Sequence, residues 1–343
     1  FPAPLVSVML LSKFFIGLLI HFIINKIFFR YKFLIDDPNY SSHKKFINKT
    51  NQIVLSGGIV FFLLFLFFPD ISVELKIFIF LIFTIGLISD LKVLNLPSLR
   101  LLFQFLIITS FVYLTDMGIY FTDLKYLDLI LKFKFFSILF SVLCFLVLIN
   151  GSNFLDGLNT LVIGYYTLVL SSLIILINLF DINYDLFLIK NFFIVLLVLL
   201  IFNFFNKSFI GDAGAYSISC LVGFICIDFY KSTQDFSVLF VVVILWYPAF
   251  ETLFSIIRKI NNKSNPVFPD NKHLHHYLFS FIRTKLKKDL FSNIFAANVI
   301  NIYNFFIFCL AISSYKNSYL LFLILVVNIT TYICFYNFLK NER

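Results

Sequence analysis

The sequence predicts an all-α polytopic membrane protein of about eleven transmembrane helices, forming a single integral-membrane domain over residues 1–343. Three observations predict it. Hydrophobic residues make up 61% of the chain and charged residues 13%, with a mean hydropathy of +0.97. A soluble domain of this length would need far more polar cover. Apolar windows of about 20 residues recur, each long enough to cross roughly 30 Å of hydrocarbon as a helix. Finally, Lys and Arg divide unevenly between alternate loops.

In chain order, the apolar windows place spans near residues 4–25, 53–69, 75–89, 99–116, 135–149, 159–180, 187–205, 214–230, 236–258, 294–314 and 318–339. The first is too long for a signal peptide and lacks a small-residue cleavage site, so it reads as a span. Loops at about 26–52, 90–98, 150–158, 206–213 and 259–293, with the C-terminal tail, then share one side. They hold 19 of the 27 Lys and Arg residues; seven lie on the other side and Lys13 lies inside the first span. By the positive-inside rule the basic set is cytoplasmic, which accounts for the net charge of +9 without invoking nucleic acid. The 51 phenylalanines reflect a compositional bias and read as packing. Five cysteines sit singly in apolar segments, so neither a zinc site nor a disulfide framework is indicated.

Every polar cluster of note falls on that basic side: Asp36-Asp37-Pro38 with His43, Asp90, Asn150 through Asp156, Asp212, and Asp270 through His276. Asp212 lies between Gly211 and Gly214 where one span ends and another begins. A carboxylate there suits Mg²⁺, a hard cation that keeps ligand positions for phosphate oxygens; the plainer alternative is a helix N-cap. Asn150, Asn153 and Asp156 offer two carboxamides and a carboxylate for a substrate, or a polar turn capping two helices. His273, His275 and His276 can meet phosphate as hydrogen-bond donors or cations, or form a solvated turn. Asp90 beside Lys92 also reads as ordinary interface chemistry. Glu251, inside an apolar run after Tyr247-Pro248, requires a partner; Arg258 is too far along the same face to supply it.

In order and spacing these clusters resemble the polyprenyl-phosphate N-acetylhexosamine-1-phosphate transferases, the WecA/MraY-like members of glycosyltransferase family 4, over about residues 33–279. The segments carrying the resemblance are Asp37-Pro38-Asn39 with Ser41-Ser42-His43 and Gly57-Gly58; Gly86 to Lys92; Asn150 to Gly157; Asn203 followed by Phe209 to Gly214; Pro248 to Leu253 with Arg258; and Pro266 to Leu278 with its HxHH run. The resemblance implies transfer of a sugar 1-phosphate from a UDP-amino sugar to polyprenyl (undecaprenyl) phosphate, releasing UMP. Mg²⁺ is the implied cofactor, with Mn²⁺ able to substitute. It implies Asp212 and Asp156 as metal ligands, Asp90, Asp156 and Asp212 as catalytic residues, and His43, Asn150, Asn153, Asn203, Arg258, Asp270, His273, His275 and His276 as substrate contacts. It further implies a multi-pass enzyme of the bacterial inner membrane, surrounded by membrane lipids, with a cytoplasmic active site. The HxHH form resembles the branch that initiates O-antigen, lipopolysaccharide and related cell-envelope glycans more than the phospho-MurNAc-pentapeptide branch. The oligomeric state stays open.

The chain departs from the family pattern at several positions. Ser89 stands where the first aspartate of a pair is expected, Asn159 where another aspartate is usual, and Glu251 where the family has an aspartate. Ser89 and Asn159 keep one rival reading, a catalytically impaired relative acting as a lipid-phosphate binder or scaffold, and the hydropathy alone would equally serve a lipid or solute transporter. A transporter would place polar residues at mid-membrane in repeated halves, a pattern absent from this sequence.

Overall fold

A computed structural model of the chain describes residues 3–36, 52–68, 71–233, 236–266, 268 and 270–342. Among these, the helices in chain order are α1 Ala3–Tyr31, α2 Gly57–Leu66, α3 Val73–Asp90, α4 Pro97–Leu114, α5 Lys125–Leu131, α6 Lys134–Leu155 and α7 Leu161–Leu179. They continue with α8 Phe187–Phe204, α9 Gly211–Ser232, α10 Val238–Ile244, α11 Trp246–Asn261, α12 Leu274–Leu286, α13 Asp289–Ser313 and α14 Ser318–Asn341. A short antiparallel ladder, β1 Ile35–Asp36 with β2 Ile53–Val54, interrupts the otherwise all-α chain.

Among the described residues, eight helices are long and apolar enough to cross a membrane, or up to nine if α10 and α11, bent by 72° at their junction, make one span. The protein is a multi-pass membrane protein. The expected count of about eleven is thereby reduced, for two physical reasons. The window at 53–69 yields α2, whose 10 residues rise only about 15 Å. The window at 75–89 yields α3, which carries Glu74, Lys76 and Asp90. The expected loop 259–293 also contains a helix, α12, which begins within the histidine run.

Helix α9 is the most enclosed span, and its sequence explains why. Gly211, Ala213, Gly214, Ala215, Ser217 and Ser219 give it small flanks, so neighbouring backbones approach closely. Helix α2 meets it through Gly58, where a Cβ would come 2.5 Å from the Gly214 nitrogen. Helix α3 meets it through Gly86, where a Cβ would come 2.4 Å from the Ala213 Cα. Helix α6 packs against α9 as well, and in turn against α4 and α11. Outer helices such as α1 and α14 expose Phe15, Leu19, Phe22, Phe322 and Leu323, as lipid contact requires. Lys13, the cation inside α1, is compensated by Asn191 of α8, whose Oδ1 accepts from its ammonium at 2.6 Å.

Candidate active site

The first turn of α9 is held by Asp90, the last residue of α3. Its Oδ1 accepts from the Asp212 N–H at 2.9 Å and its Oδ2 from the Ala213 N–H at 3.0 Å. Those amides are orphan donors at the positive end of the helix dipole, so a carboxylate from a neighbouring helix caps α9 in place of a local residue. Gly211 makes the turn possible. Its φ is +66°, and a Cβ there would lie 2.6 Å from the Asp90 carboxylate.

Asp212, fixed in this way, meets two further side chains. Its Oδ2 accepts from the Ser89 hydroxyl at 2.6 Å and from the Arg100 guanidinium at 2.8 Å. The same Arg100 nitrogen donates to the Ser89 oxygen at 2.8 Å, closing a three-membered network. Among the described residues, Oδ1 of Asp212 takes no hydrogen bond. Arg100 sits in the first turn of α4, following Pro97, and sequence reasoning missed it. One signal was available: Arg100 and Gln104 are four apart in an apolar helix and so share a face. Gln104, fully buried, accepts from Asn150 Nδ2 at 3.2 Å.

The C-terminal end of α6 faces α9. Asn153 donates to the Tyr216 hydroxyl at 3.1 Å. Asp156 lies three residues beyond Asn153 towards the end of α6, and Asp212 lies four residues before Tyr216 towards the start of α9. One helical turn separates each aspartate from the bonded pair, in the same direction, so both reach the same end of the bundle. Among the described residues, no three of His, Cys, Asp and Glu converge as a metal cage. A divalent cation of the Mg²⁺ type still fits, because it is commonly held by one or two carboxylates and completed by substrate phosphates and water.

The histidines reach this end from the opposite side of α6. At Gly157 a Cβ would lie 3.0 Å from His276 Nε2 and 3.2 Å from His275 Nε2, so both rings sit on the turn that follows Asp156. His273 has a different environment. Its Nδ1 is 2.9 Å from Glu251 Oε1 and its Nε2 is 3.3 Å from Asp270 Oδ1. Flanked by two carboxylates, the ring bridges Glu251 and Asp270 and serves as a brace. Glu251 is fully buried; it also accepts from the Tyr332 hydroxyl at 2.7 Å and the Leu274 N–H at 3.4 Å. Its required partner is therefore His273, from a distant loop, with Tyr332 from α14. Arg258 binds both oxygens of Asp270, at 2.8 and 2.7 Å, and the Tyr336 hydroxyl at 3.1 Å. Burial alone would raise the Asp270 carboxyl, but the charges of His273, Arg258 and Lys259 and the Lys272 N–H together hold it below the usual carboxylate range.

Asn203 belongs to a third group. Its Oδ1 accepts from the Thr160 N–H at 2.5 Å and its Nδ2 donates to the Ser208 carbonyl at 3.0 Å. Both ends of its carboxamide are thus committed to backbone. His43 lies outside the described residues.

Residues 73–230 match the sequence model of glycosyl transferase family 4. This segment belongs to that family. A Bacillus subtilis (strain 168) protein named "Probable undecaprenyl-phosphate N-acetylglucosaminyl 1-phosphate transferase" is 33% identical over 174 residues, covering 44% of this chain and 47% of that protein. A Thermotoga maritima protein named "Undecaprenyl-phosphate alpha-N-acetylglucosaminyl 1-phosphate transferase" is 31% identical over 70 residues, covering 20% of this chain and 23% of that protein. The chain therefore spans about half the length of the first relative and under a quarter of the second. The family segment contains Asp90, Arg100, Asp156, Asn203 and Asp212. Glu251 and the histidines lie beyond it and join it through the α6 turn.

Proposed function

We propose that the protein transfers a sugar 1-phosphate from a UDP-N-acetylhexosamine to undecaprenyl phosphate at the cytoplasmic face of the bacterial inner membrane, releasing UMP. The observation that carries this reading is the convergence of Asp212, Asp156 and the His275–His276 pair at one end of the bundle, around the family segment. The lipid diphosphate sugar so formed would initiate O-antigen, lipopolysaccharide or another cell-envelope polysaccharide.

The acceptor is a phosphate monoester with a second pKa near about 6, so it is largely dianionic at neutral pH and attacks without a general base. Its oxygen bonds to the sugar-bearing phosphorus, the bond from that phosphorus to the bridging oxygen breaks, and the electron pair leaves with UMP. The obstacle is repulsion between two anions, so positioning and charge compensation do most of the catalysis. When bound by Asp212 and Asp156, Mg²⁺ would neutralise charge on the diphosphate, and Mn²⁺ would serve in its place. Asp90 holds Asp212 in position through the α9 amides. His275 and His276 are placed beside Asp156 to donate to phosphate or sugar oxygens. Asn150 and Asn153 line the α6 side, towards the nucleotide sugar. Glu251, His273, Asp270 and Arg258 set the angle at which α12 presents the two histidines.

The test is direct. Membranes containing the protein, given labelled UDP-N-acetylhexosamines, undecaprenyl phosphate and Mg²⁺, are expected to form a glycolipid with release of UMP, and Asp212→Asn is expected to abolish it. Absence of product with every donor, alongside measurable donor binding, would favour the impaired-relative reading that Ser89 and the Arg100–Asp212 pair also suit.

A further inference from the structure

Arg100 sets a positive charge on the carboxylate proposed above to hold the metal. Its guanidinium occupies Oδ2 of Asp212 at 2.8 Å, and the two side chains are only 20% and 24% exposed. A positive charge this close, and this sheltered from solvent, competes with any divalent ion for the same carboxylate. Yet Arg100 is incompletely satisfied there. Its Nε is buried without a hydrogen-bond partner, while one terminal nitrogen donates to both Asp212 and Ser89. Guanidinium presents five donors in a planar fork matched to carboxylate and phosphate oxygens. The Arg100 fork also lies against the buried Tyr216 hydroxyl, yet the unpaired Nε leaves it poised for a further acceptor. Ser89 contributes to the same arrangement. A hydroxyl there both accepts from Arg100 and donates to Asp212, whereas an aspartate would put a second negative charge beside Asp212.

We propose that Arg100 is an exchangeable counter-ion: it occupies Asp212 in the metal-free protein, yields that carboxylate to a divalent cation, and moves its fork onto the donor diphosphate. Arg100 is thereby a substrate-contacting residue of the transfer, and its release couples metal entry to diphosphate binding. The inference rests on the reading of Asp212 as a metal ligand.

Mn²⁺ binding to the full-length, detergent-purified protein, followed by loss of the free-ion electron paramagnetic resonance signal and without any sugar donor, tests it. Arg100→Gln and Arg100→Met are two neutral replacements of different shape. Each is expected to bind Mn²⁺ about tenfold more tightly than the wild type, equivalent to about 1.4 kcal/mol. In saturating Mn²⁺, both are expected to bind UDP more weakly than the wild type. Asp212→Asn is expected to lose Mn²⁺ binding. If the Arg100 variants bind Mn²⁺ no more tightly while Asp212→Asn loses it, the counter-ion role is overturned and the metal reading stands. If Asp212→Asn binds Mn²⁺ like the wild type, the metal reading falls and the inference falls with it.

Discussion

Replacing Asp90 with Asn separates a structural carboxylate from a reacting one. In the wild type, Asp90 accepts from two successive N–H groups of α9 at 2.9 and 3.0 Å. Asparagine offers one acceptor oxygen, so one of these amides would face an –NH₂ group and lose its partner. A charge-assisted hydrogen bond of this kind is worth about 1.5–3 kcal/mol, and removing the negative charge from the helix N-terminus forfeits about 0.3–1 kcal/mol more. The backbone has little room to adapt, because Gly211 at φ +66° already wraps the carboxylate. The sum is about 2–4 kcal/mol, which for a chain of this size lowers an apparent melting temperature by about 3–6 °C. Thermal unfolding in detergent, followed by loss of the monodisperse size-exclusion peak, reads that shift, and a transfer assay on the same samples reads function. Asp212→Asn is the comparison: it keeps both α9 amides on Asp90 and loses only the charge facing Arg100 and Ser89, so it should melt less far below the wild type than Asp90→Asn. An Asp90→Asn protein that melts like the wild type yet fails to transfer would refute the capping role and return Asp90 to direct chemistry.

Glu251→Gln leaves His273 and Tyr332 against a neutral amide with one acceptor oxygen in a site closed to solvent; losing one of these hydrogen bonds should cost about 1.5–3 kcal/mol, measurable as a lowered melting temperature with weakened donor binding. Gly58→Ala and Gly86→Ala each drive a methyl into the α9 backbone, at 2.5 and 2.4 Å, and should yield aggregated protein on size exclusion. Gly17→Ala meets side chains rather than backbone, Val198 at 3.0 Å and Leu64 at 3.4 Å, and should purify normally. Asp270 titrates below its ordinary value in the folded protein, so its stabilising contribution is complete above about pH 4 and is lost as pH falls through the lower folded value. The melting difference between wild type and Asp270→Asn should hold steady from neutral pH to about 5 and shrink below about 4; a constant difference down to the lowest pH would exclude the ion-pair account.

Much of this protein is legible in its sequence because lipid imposes a simple rule: backbone polar groups must be satisfied internally, so long apolar segments become helices. All eleven apolar windows form helices. The sequence does not reveal which of them are long enough to span, since a window overruns its helix wherever the flanking loop is also apolar, as at Phe67 and Phe68 beyond α2. The site was half legible. Asp90, Asp156, Asp212 and the histidines announced themselves because polar groups in an apolar chain are costly. Arg100, Tyr216 and Tyr332 did not, since a lone arginine near a span end looks like an interface anchor and tyrosines are common throughout. Glu251 advertised a missing partner, but that partner, His273, is 22 residues away, beyond any helical spacing.

The two positions at which an expected carboxylate is absent, Ser89 and Asn159, have different physical accounts. Asn159 sits in a net of carboxamides: its N–H donates to Asn293 Oδ1 at 2.8 Å, and its Nδ2 donates to the Asn203 carbonyl at 3.1 Å and Asn206 Oδ1 at 2.9 Å. An aspartate there has no hydrogen to give and would set its charge against those oxygens. The net has a task, since the next residue, Thr160, holds a φ of +69°, unfavourable for a β-branched side chain. Asn203 accepts from the Thr160 N–H and Asn301 donates to its carbonyl at 3.0 Å, fixing the turn by which α7 leaves the Asp156 region. Asn159 is thus part of the scaffold. Ser89, by contrast, donates to Asp212 itself and accepts from Arg100. Restoring a carboxylate at 159 should cost stability without altering cation affinity, whereas restoring one at 89 should draw Arg100 off Asp212 and change how tightly the site holds Mn²⁺. The same metal titration on Asn159→Asp and Ser89→Asp decides it; equal effects from both would show that the two positions do not divide between scaffold and site.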